Sequence, residues 1–250
     1  MHPNPESEPT TPEVLRVDYA TNGPPAVRPS RLWLLTLTGS LVAAVATWFA
    51  GETSLVRVEA KKVPMETMGQ KHEGTTGATE LAALISTAGR RYGLLGALLG
   101  VALGAAGGLA RGSGAGAVKA ALVGAAGGLA SGLVAYVGVR LHARAVGSFE
   151  DDLIPSLILH GAISIVIGLS GAFALGLGAQ GPKARRVAAL IGGGAGGLLG
   201  AVAFQIAGGL LLPTDGISDP IATTSQARLF STLLVAGLSA IGATAGLVRR

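Results

Sequence analysis

Six apolar stretches, each close to the length of a membrane-spanning helix, alternate with polar breaks along the chain. They cover residues 32–50, 92–110, 118–139, 153–178, 187–211 and 229–248. About 20 helical residues cross the hydrocarbon core of a bilayer, so each stretch is long enough to span it. A helix also satisfies its own backbone hydrogen-bonding groups, as lipid requires. The pattern therefore predicts an all-α fold, a polytopic membrane bundle of about six transmembrane helices.

The first apolar stretch follows a long polar tail. Residues 1–30 hold seven of the 12 prolines, which predicts a disordered tail on the cytoplasmic side. Residues 31–50 are predicted to form the first transmembrane helix, with Trp33 and Trp48 at the two membrane interfaces. The alternative is a signal peptide whose basic region is the pair of arginines before the stretch. The length of the apolar run favours a retained helix.

A polar segment, residues 51–90, separates the first stretch from the other five and is predicted to be extracytoplasmic. Near its end, Thr79 has the character of a helix cap, and apolar side chains follow it at helical spacing. They are Leu81, Leu84, Ile85 and Ala88. This spacing fits either an amphipathic helix on the membrane surface or a lead-in to the second span. Residues 91–250 are predicted to form a five-helix membrane bundle.

The composition agrees with a membrane environment. Only 13% of the residues are charged, whereas 40 of the 250 are glycine. A soluble domain carries about 25% charged residues and needs them to cover its surface. Glycine destabilises helices in water, but in lipid it lets neighbouring helices approach closely. The lipid bilayer is therefore the first partner that the sequence predicts.

Glycines recur every four residues in three of the apolar stretches. The positions are Gly96, Gly100, Gly104 and Gly108, then Gly124, Gly128 and Gly132, then Gly192, Gly196 and Gly200. A four-residue step keeps them on one helix face and forms a glycine zipper, which favours close helix crossings. We expect these faces to pack helices together within one subunit. A homo-oligomeric ring or a gating seam is the alternative.

The second and third stretches align with the fourth and fifth at an offset of 68 residues. The matches pair Gly93, Gly100 and Gly108 with Gly161, Gly168 and Gly176. The alignment runs without a gap as far as Gly192 and needs one just after it. It indicates either a duplicated helical hairpin, with both copies in the same orientation, or two similar packing units.

Basic residues suggest an orientation in the membrane. If both termini are cytoplasmic, the short outer loops hold only Arg140, Arg144 and Arg228. The inner side then holds Arg16, Arg28, Arg31, Arg111, Lys119, Lys183, Arg185, Arg186, Arg249 and Arg250. This split obeys the positive-inside rule, although six more basic residues from Arg57 to Arg91 remove the bias when they are counted. The last two, Arg90 and Arg91, flank the second apolar stretch. We expect a bacterial inner membrane protein with both termini cytoplasmic.

One short motif in the fourth stretch is a candidate for catalysis. Residues 168–171 spell G-x-S-G in the fourth stretch, which resembles the nucleophile motif of the rhomboid intramembrane proteases. The resemblance implies that Ser170 is a nucleophile activated by a histidine in the sixth helix. The sixth stretch here, residues 229–248, contains no histidine, and a serine without a base is a poor nucleophile. We therefore expect Ser170 to be a small packing residue and the chain not to be an enzyme.

The sequence has few residues suited to binding a metal, a cofactor or nucleic acid, or to coupling transport to protons. There is no cysteine and no H-E-x-x-H motif, so we expect no metal and no cofactor. The net charge of +5 is modest and basic residues do not cluster with aromatic ones, so we expect no nucleic-acid partner. Within the apolar stretches, Asp, Glu, Lys and Arg occur only near the ends, which argues against a proton-coupled pump.

Two polar side chains lie well inside apolar stretches. His160 and Gln205 are each predicted about 10 Å below the outer membrane surface, and Tyr136 lies nearer that surface on the third stretch. The three residues are candidates for an outward-facing polar pocket. The alternative is that they hold helices together by hydrogen bonds, which are worth about 0.6 kcal/mol each on average in membranes.

These patterns lead to two expected functions. The first is a structural or interaction-based membrane protein, whose helices associate through glycine faces with each other, with a second copy or with another membrane protein. The alternative is a small-solute channel or transporter component, with the polar residues of the outer half near its path.

Overall fold

The structure, a computed structural model, describes residues 28–53, 55–67, 70–145 and 153–249. The predicted disordered tail lies almost entirely outside these ranges. The helices are α1 (Pro29–Gly51), α2 (Gly77–Ala110), α3 (Gly114–Ala145), α4 (Leu153–Ala179), α5 (Lys183–Leu211) and α6 (Ser225–Val248), and the strands are β1 (Val63–Thr67) and β2 (Gln70–Gly74). All six helices are long and apolar enough to span a membrane, so the predicted fold class is confirmed.

Consecutive helices run antiparallel and pack side by side. In α2 and α3, for example, Gly96 faces Gly128 and Gly108 faces Ala117. The first and last helices also meet, because the Thr244 hydroxyl donates to the Thr36 hydroxyl at 3.0 Å. We call the side on which α1 begins and α6 ends the terminal face. The opposite side, which carries the two strands, is the hairpin face.

The core lies between α2 and α4. Leu99 and Leu103 of α2 and Ile163 and Ile167 of α4 are fully buried. The peripheral helix α3 instead leaves a row of large apolar side chains exposed, and Leu133 has 71% of its surface free. Such exposure is expected of side chains that face lipid rather than water.

Helix α2 begins well before the span predicted for it. It starts at Gly77, and its cap is Thr76 rather than Thr79, although the Thr79 hydroxyl completes a capping box by accepting the Thr76 N–H at 2.9 Å. The helix has 34 residues, or about 51 Å of length against a hydrocarbon core of about 30 Å. Of the two interpretations of this region, the lead-in to the second span therefore holds.

The strands form a small element, which the sequence predicts only in part, as a short strand of Leu55, Val56, Val58 and Val63. Of these residues only Val63 lies in the element, as the first residue of β1. β1 and β2 pair antiparallel, with Val63 opposite Gly74 and Met65 opposite His72. They make a two-stranded sheet, and much of it is exposed. A hairpin this small carries little stability of its own.

Candidate functional site

The ten predicted zipper glycines all face another helix of the same chain. A Cβ added at any of them would come closer than 3.0 Å to neighbouring backbone, a distance that requires the helices to separate. Across α2 and α3 the facing pairs include Gly96–Gly128, Gly100–Gly124, Gly104–Ala120 and Gly93–Gly132, and across α5 and α6 they are Gly192–Gly242, Gly196–Leu238 and Gly200–Val235. The bundle thus uses these faces for its internal packing.

The contacts favour the duplicated-hairpin interpretation. Gly100 faces Gly124, and the equivalent residue Gly168 faces Gly193. A second pair of contacts is repeated in the same way, since Gly96–Gly128 corresponds to Ser164–Gly197. The first helix of each pair is shifted by 68 residues and the second by 69, which agrees with the single gap in the alignment. The two hairpins therefore repeat the same crossing.

A cavity of about 820 Å³ opens at the hairpin face. We call it the vestibule. It lies between the segment that follows α1, the first turns of α2 and the loop of residues 212–224. Its polar wall is formed by Glu52, Arg57, Glu59, Glu80, Arg91 and Arg228, and its apolar wall includes Ala83, Leu84, Ile221 and Ala222.

Three charged side chains meet at the inner end of the vestibule. Arg228 of α6 binds both carboxylate oxygens of Glu52, with N–O distances of 2.7 and 2.6 Å. This is the bidentate arrangement that a guanidinium fork favours. Arg91 of α2 approaches the same carboxylate only to 4.0 Å. Two guanidinium groups therefore lie near one carboxylate, but only Arg228 is hydrogen-bonded to it.

The side chain of Arg91 is buried and incompletely paired. The residue is only 5% exposed, and its Nη2 has no hydrogen-bond partner among the described residues. A second, small cavity of about 10 Å³ lies on its inner side, and both Arg91 and Arg228 line this cavity as well as the vestibule. A space of that size holds about one water molecule. A buried cation without a full set of partners is costly and commonly marks a functional site in membrane proteins.

The two arginines act on the protonation of Glu52. Its hydrogen bonds to Arg228 hold the pKa of the Glu52 carboxyl below its usual value, and the charge of Arg91 lowers that pKa further. Partial burial of the carboxyl opposes the shift. Glu52 is consequently a carboxylate at neutral pH, and the cluster keeps an excess of positive charge.

The structure brings His160 and Gln205 together, as both the polar-pocket hypothesis and its alternative, a hydrogen bond that holds two helices together, require. The Gln205 side-chain amide lies 2.9 Å from both His160 Nδ1 and the Ser156 hydroxyl, and it also donates to the Ile217 carbonyl at 3.3 Å. Nδ1 accepts the amide N–H when the ring carries its proton on Nε2. All three side chains are buried. The cluster ties α4, α5 and the 212–224 loop together.

Tyr136 lies apart from this cluster. Its side chain packs against Gly89 of α2 and is 47% exposed. It lines a different cavity, of about 750 Å³, together with Arg90 and Leu133. Of the three residues predicted to share a polar pocket, two are therefore in contact and the third sits in a groove between α2 and α3.

Hydrogen bonds from the helices position the loop that walls the vestibule. The Tyr92 hydroxyl donates to the Pro220 carbonyl at 2.9 Å. Arg228 Nη1 donates to the carbonyls of Ala222 and Thr223 at 3.0 and 2.7 Å. Side chains of α2 and α6 thus hold this loop by hydrogen bonds at the inner end of the vestibule.

No described group has the arrangement of a hydrolase or a metal centre. The Ser170 hydroxyl donates to the Ile167 carbonyl of its own helix at 3.0 Å. Ser156 lies 3.2 Å from His160, but it is fully buried and lines neither the vestibule nor the small cavity. Within the described ranges, no three His, Asp or Glu side chains cluster as metal ligands would.

Arg91 is not among the predicted site residues, because Arg90 and Arg91 together have the pattern of basic residues that flank a membrane span. The helical period could have distinguished the pair. Arg91 continues a stripe of apolar residues at helical spacing, since steps of three and four residues connect Leu84, Ala88, Arg91 and Leu95. Arg90 falls outside that stripe and is exposed.

Comparison with known proteins adds no assignment. The sequence matches no family model, and neither a curated protein nor a solved structure matches the chain.

Proposed function

We propose that this chain is a non-enzymatic, multi-pass membrane protein that binds a small solute in the vestibule, as a channel or transporter component does. The observation that carries the proposal is the vestibule, whose volume of about 820 Å³ lies in the usual range of small-molecule sites. Its walls combine apolar side chains with six charged ones, a lining more polar than that of most small-molecule sites and therefore suited to a polar or charged solute.

Association through the glycine faces, the other expected function, has less support. Each of the ten predicted glycines already faces a helix of its own chain, so a partner cannot use those faces without opening the bundle. A second copy or another membrane protein would have to use a different surface. The exposed apolar side chains of α3, such as Leu122 and Leu133, are sufficiently explained by lipid.

We further propose that the terminal face is cytoplasmic and that the vestibule opens to the opposite side. The described basic residues of the terminal face are Arg28, Arg31, Arg111, Lys119, Lys183, Arg185, Arg186 and Arg249. Every described Asp or Glu lies toward the hairpin face: Glu52, Glu59, Glu66, Glu73, Glu80, Asp215 and Asp219. The hairpin face carries nine described basic residues, but six of them lie within residues 57–91. The proposal therefore rests on the rest of the chain, where the hairpin face has only Arg140, Arg144 and Arg228. An excess of Lys and Arg is typical of cytoplasmic surfaces, where anionic lipids attract them. A bacterial inner membrane stays a prediction.

Thiol labelling tests the vestibule. The chain has no native cysteine, so Ala83→Cys places one thiol in the vestibule wall, and Leu122→Cys places one on the lipid-facing side of α3. Small charged methanethiosulfonate reagents should modify the first variant and spare the second, because a thiol in hydrocarbon does not ionise to the reactive thiolate. Equal resistance of both variants in the folded, membrane-embedded protein would contradict the proposal.

A further inference from the structure

We propose that the solute bound in the vestibule is a small anion carrying a carboxylate group, and that Arg91 is the residue that recognises its charge. This inference rests on the function proposed above and names the ligand class of the same site. The starting point is the charge balance at the inner end. Arg228 makes two short hydrogen bonds to Glu52, whereas Arg91 Nη1 stays 4.0 Å from that carboxylate and the buried Nη2 of Arg91 has no hydrogen-bond partner among the described residues.

The Arg91 guanidinium lies against the end of α1. Gly51, the last residue of α1, is beside it, and a Cβ there would stand 2.9 Å from Arg91 Nη1 and 3.5 Å from Cζ. A larger residue at this position would shift only the end of the flexible Arg91 side chain. Because the Arg91 charge is buried and incompletely paired, it favours an anion over a neutral solute. The planar guanidinium matches the two oxygens of a carboxylate.

The rest of the vestibule fits a small organic anion. Leu84 and Ile221 offer apolar surface near Arg91, suited to a short hydrocarbon portion. At the mouth, Arg57, Glu59 and Glu80 carry charges of both signs and are exposed, so water and salt screen them. Of the charges at the inner end, Glu52 is exposed and Arg228 is half-buried. Arg91 is the buried one, and its positive charge would hold an anion most strongly.

The first test compares two thiol reagents of opposite charge on the Ala83→Cys protein in vesicles. The sulfonatoethyl reagent should react faster than the trimethylammonioethyl reagent. Arg91→Gln should lower this rate ratio about tenfold, because a hydrogen-bonded charge typically contributes that much. Arg90→Gln is the matched control: it removes the same charge from the adjacent, exposed position and should leave the ratio nearly unchanged.

The second test measures protection of the same thiol by sodium acetate against sodium chloride at equal ionic strength. Acetate should slow labelling, with the concentration for half-protection raised about tenfold or more by Arg91→Gln. Arg91→Lys keeps the charge but not the fork, so it should fold and bind acetate with intermediate strength. Chloride protecting as well as acetate would overturn the carboxylate assignment.

The outcomes separate the two proposals. If neither reagent labels the Ala83→Cys protein, the solute-binding vestibule is wrong. If both reagents label it at equal rates and acetate does not protect it, the vestibule stands and the anion assignment is wrong. Equal effects of Arg91→Gln and Arg90→Gln would likewise overturn the role of Arg91.

Discussion

Three charged residues from different parts of the chain meet where α1 ends: Glu52, Arg91 and Arg228. Their arrangement is asymmetric, because one guanidinium holds the carboxylate and the other does not. An isolated buried charge costs several kcal/mol, so Arg91 requires a counter-charge or water from the vestibule. This need links the stability of the bundle to what the vestibule contains.

Glu52 should make stability depend on pH in a defined window. Its folded pKa lies below the ordinary value of 4.5, so its contribution is complete above that value and is lost as the pH falls through the lowered pKa. The melting temperatures of the natural protein and of Glu52→Gln in detergent should differ by a constant amount from pH 7 to pH 5. The difference should then shrink toward pH 3. A difference that persists unchanged to pH 3 would contradict the ion pair.

Hydrogen bonding between His160 and Gln205 should appear as coupling between mutations. His160→Ala and Gln205→Leu each remove one partner of the 2.9 Å contact. Their double-mutant cycle should give a coupling free energy of about 0.6 kcal/mol, with about 1.7 kcal/mol as an upper bound. Tyr136→Ala with Gln205→Leu is the control and should be additive, since Tyr136 lines another cavity. Additivity in both cycles would mean that the contact between His160 and Gln205 contributes nothing to the free energy of unfolding.

Helix contacts in this bundle depend on backbone approaching backbone. At the crossing of α2 and α3, a Cβ on Gly100 would stand 2.9 Å from the Gly124 Cα and closer still to the Gly124 carbonyl. In α6, by contrast, a Cβ on Gly237 would meet nothing within 4 Å. The same residue type therefore has a packing role at one position and none at another.

The substitution Gly100→Ala should destabilise the protein by about 1 to 3 kcal/mol, because the added methyl group forces the two helices apart. Gly237→Ala should be neutral or slightly stabilising, since alanine is the better helix former and finds open space. Unfolding of both variants in mixed micelles measures the difference. Equal stabilities would show that the α2–α3 crossing does not need glycine.

The elements were predicted unequally well. The apolar runs located all six helices, because hydrophobic length is a strong indicator in membrane proteins. The start of α2 was placed too late, since Glu80, Arg90 and Arg91 make residues 77–91 look polar, although one face of that stretch is buried. The short strand predicted at residues 55–63 lies too early in the chain, and its partner strand was not predicted, because the exposed residues of β1 and β2 lack the apolar alternation of a packed strand.

The arrangement of the six helices in the bundle was harder to predict from the sequence. Short loops predicted antiparallel neighbours, but nothing local predicts that α1 meets α6. That contact joins Thr36 to Thr244, residues 208 positions apart. The vestibule depends on the same long-range closure, because Glu52 and Arg228 come from these two helices. Its existence therefore follows from the closed bundle rather than from any motif.

The measurement that tests the account most directly is the sidedness of single cysteines in intact cells. Thr223→Cys lies at the vestibule rim, and Ala115→Cys lies on the terminal face at the start of α3. A membrane-impermeant maleimide applied from outside should label the first at once and the second only after the membrane is permeabilised. Labelling of both without permeabilisation, or of Ala115→Cys alone, would contradict a membrane-spanning bundle whose vestibule faces outward.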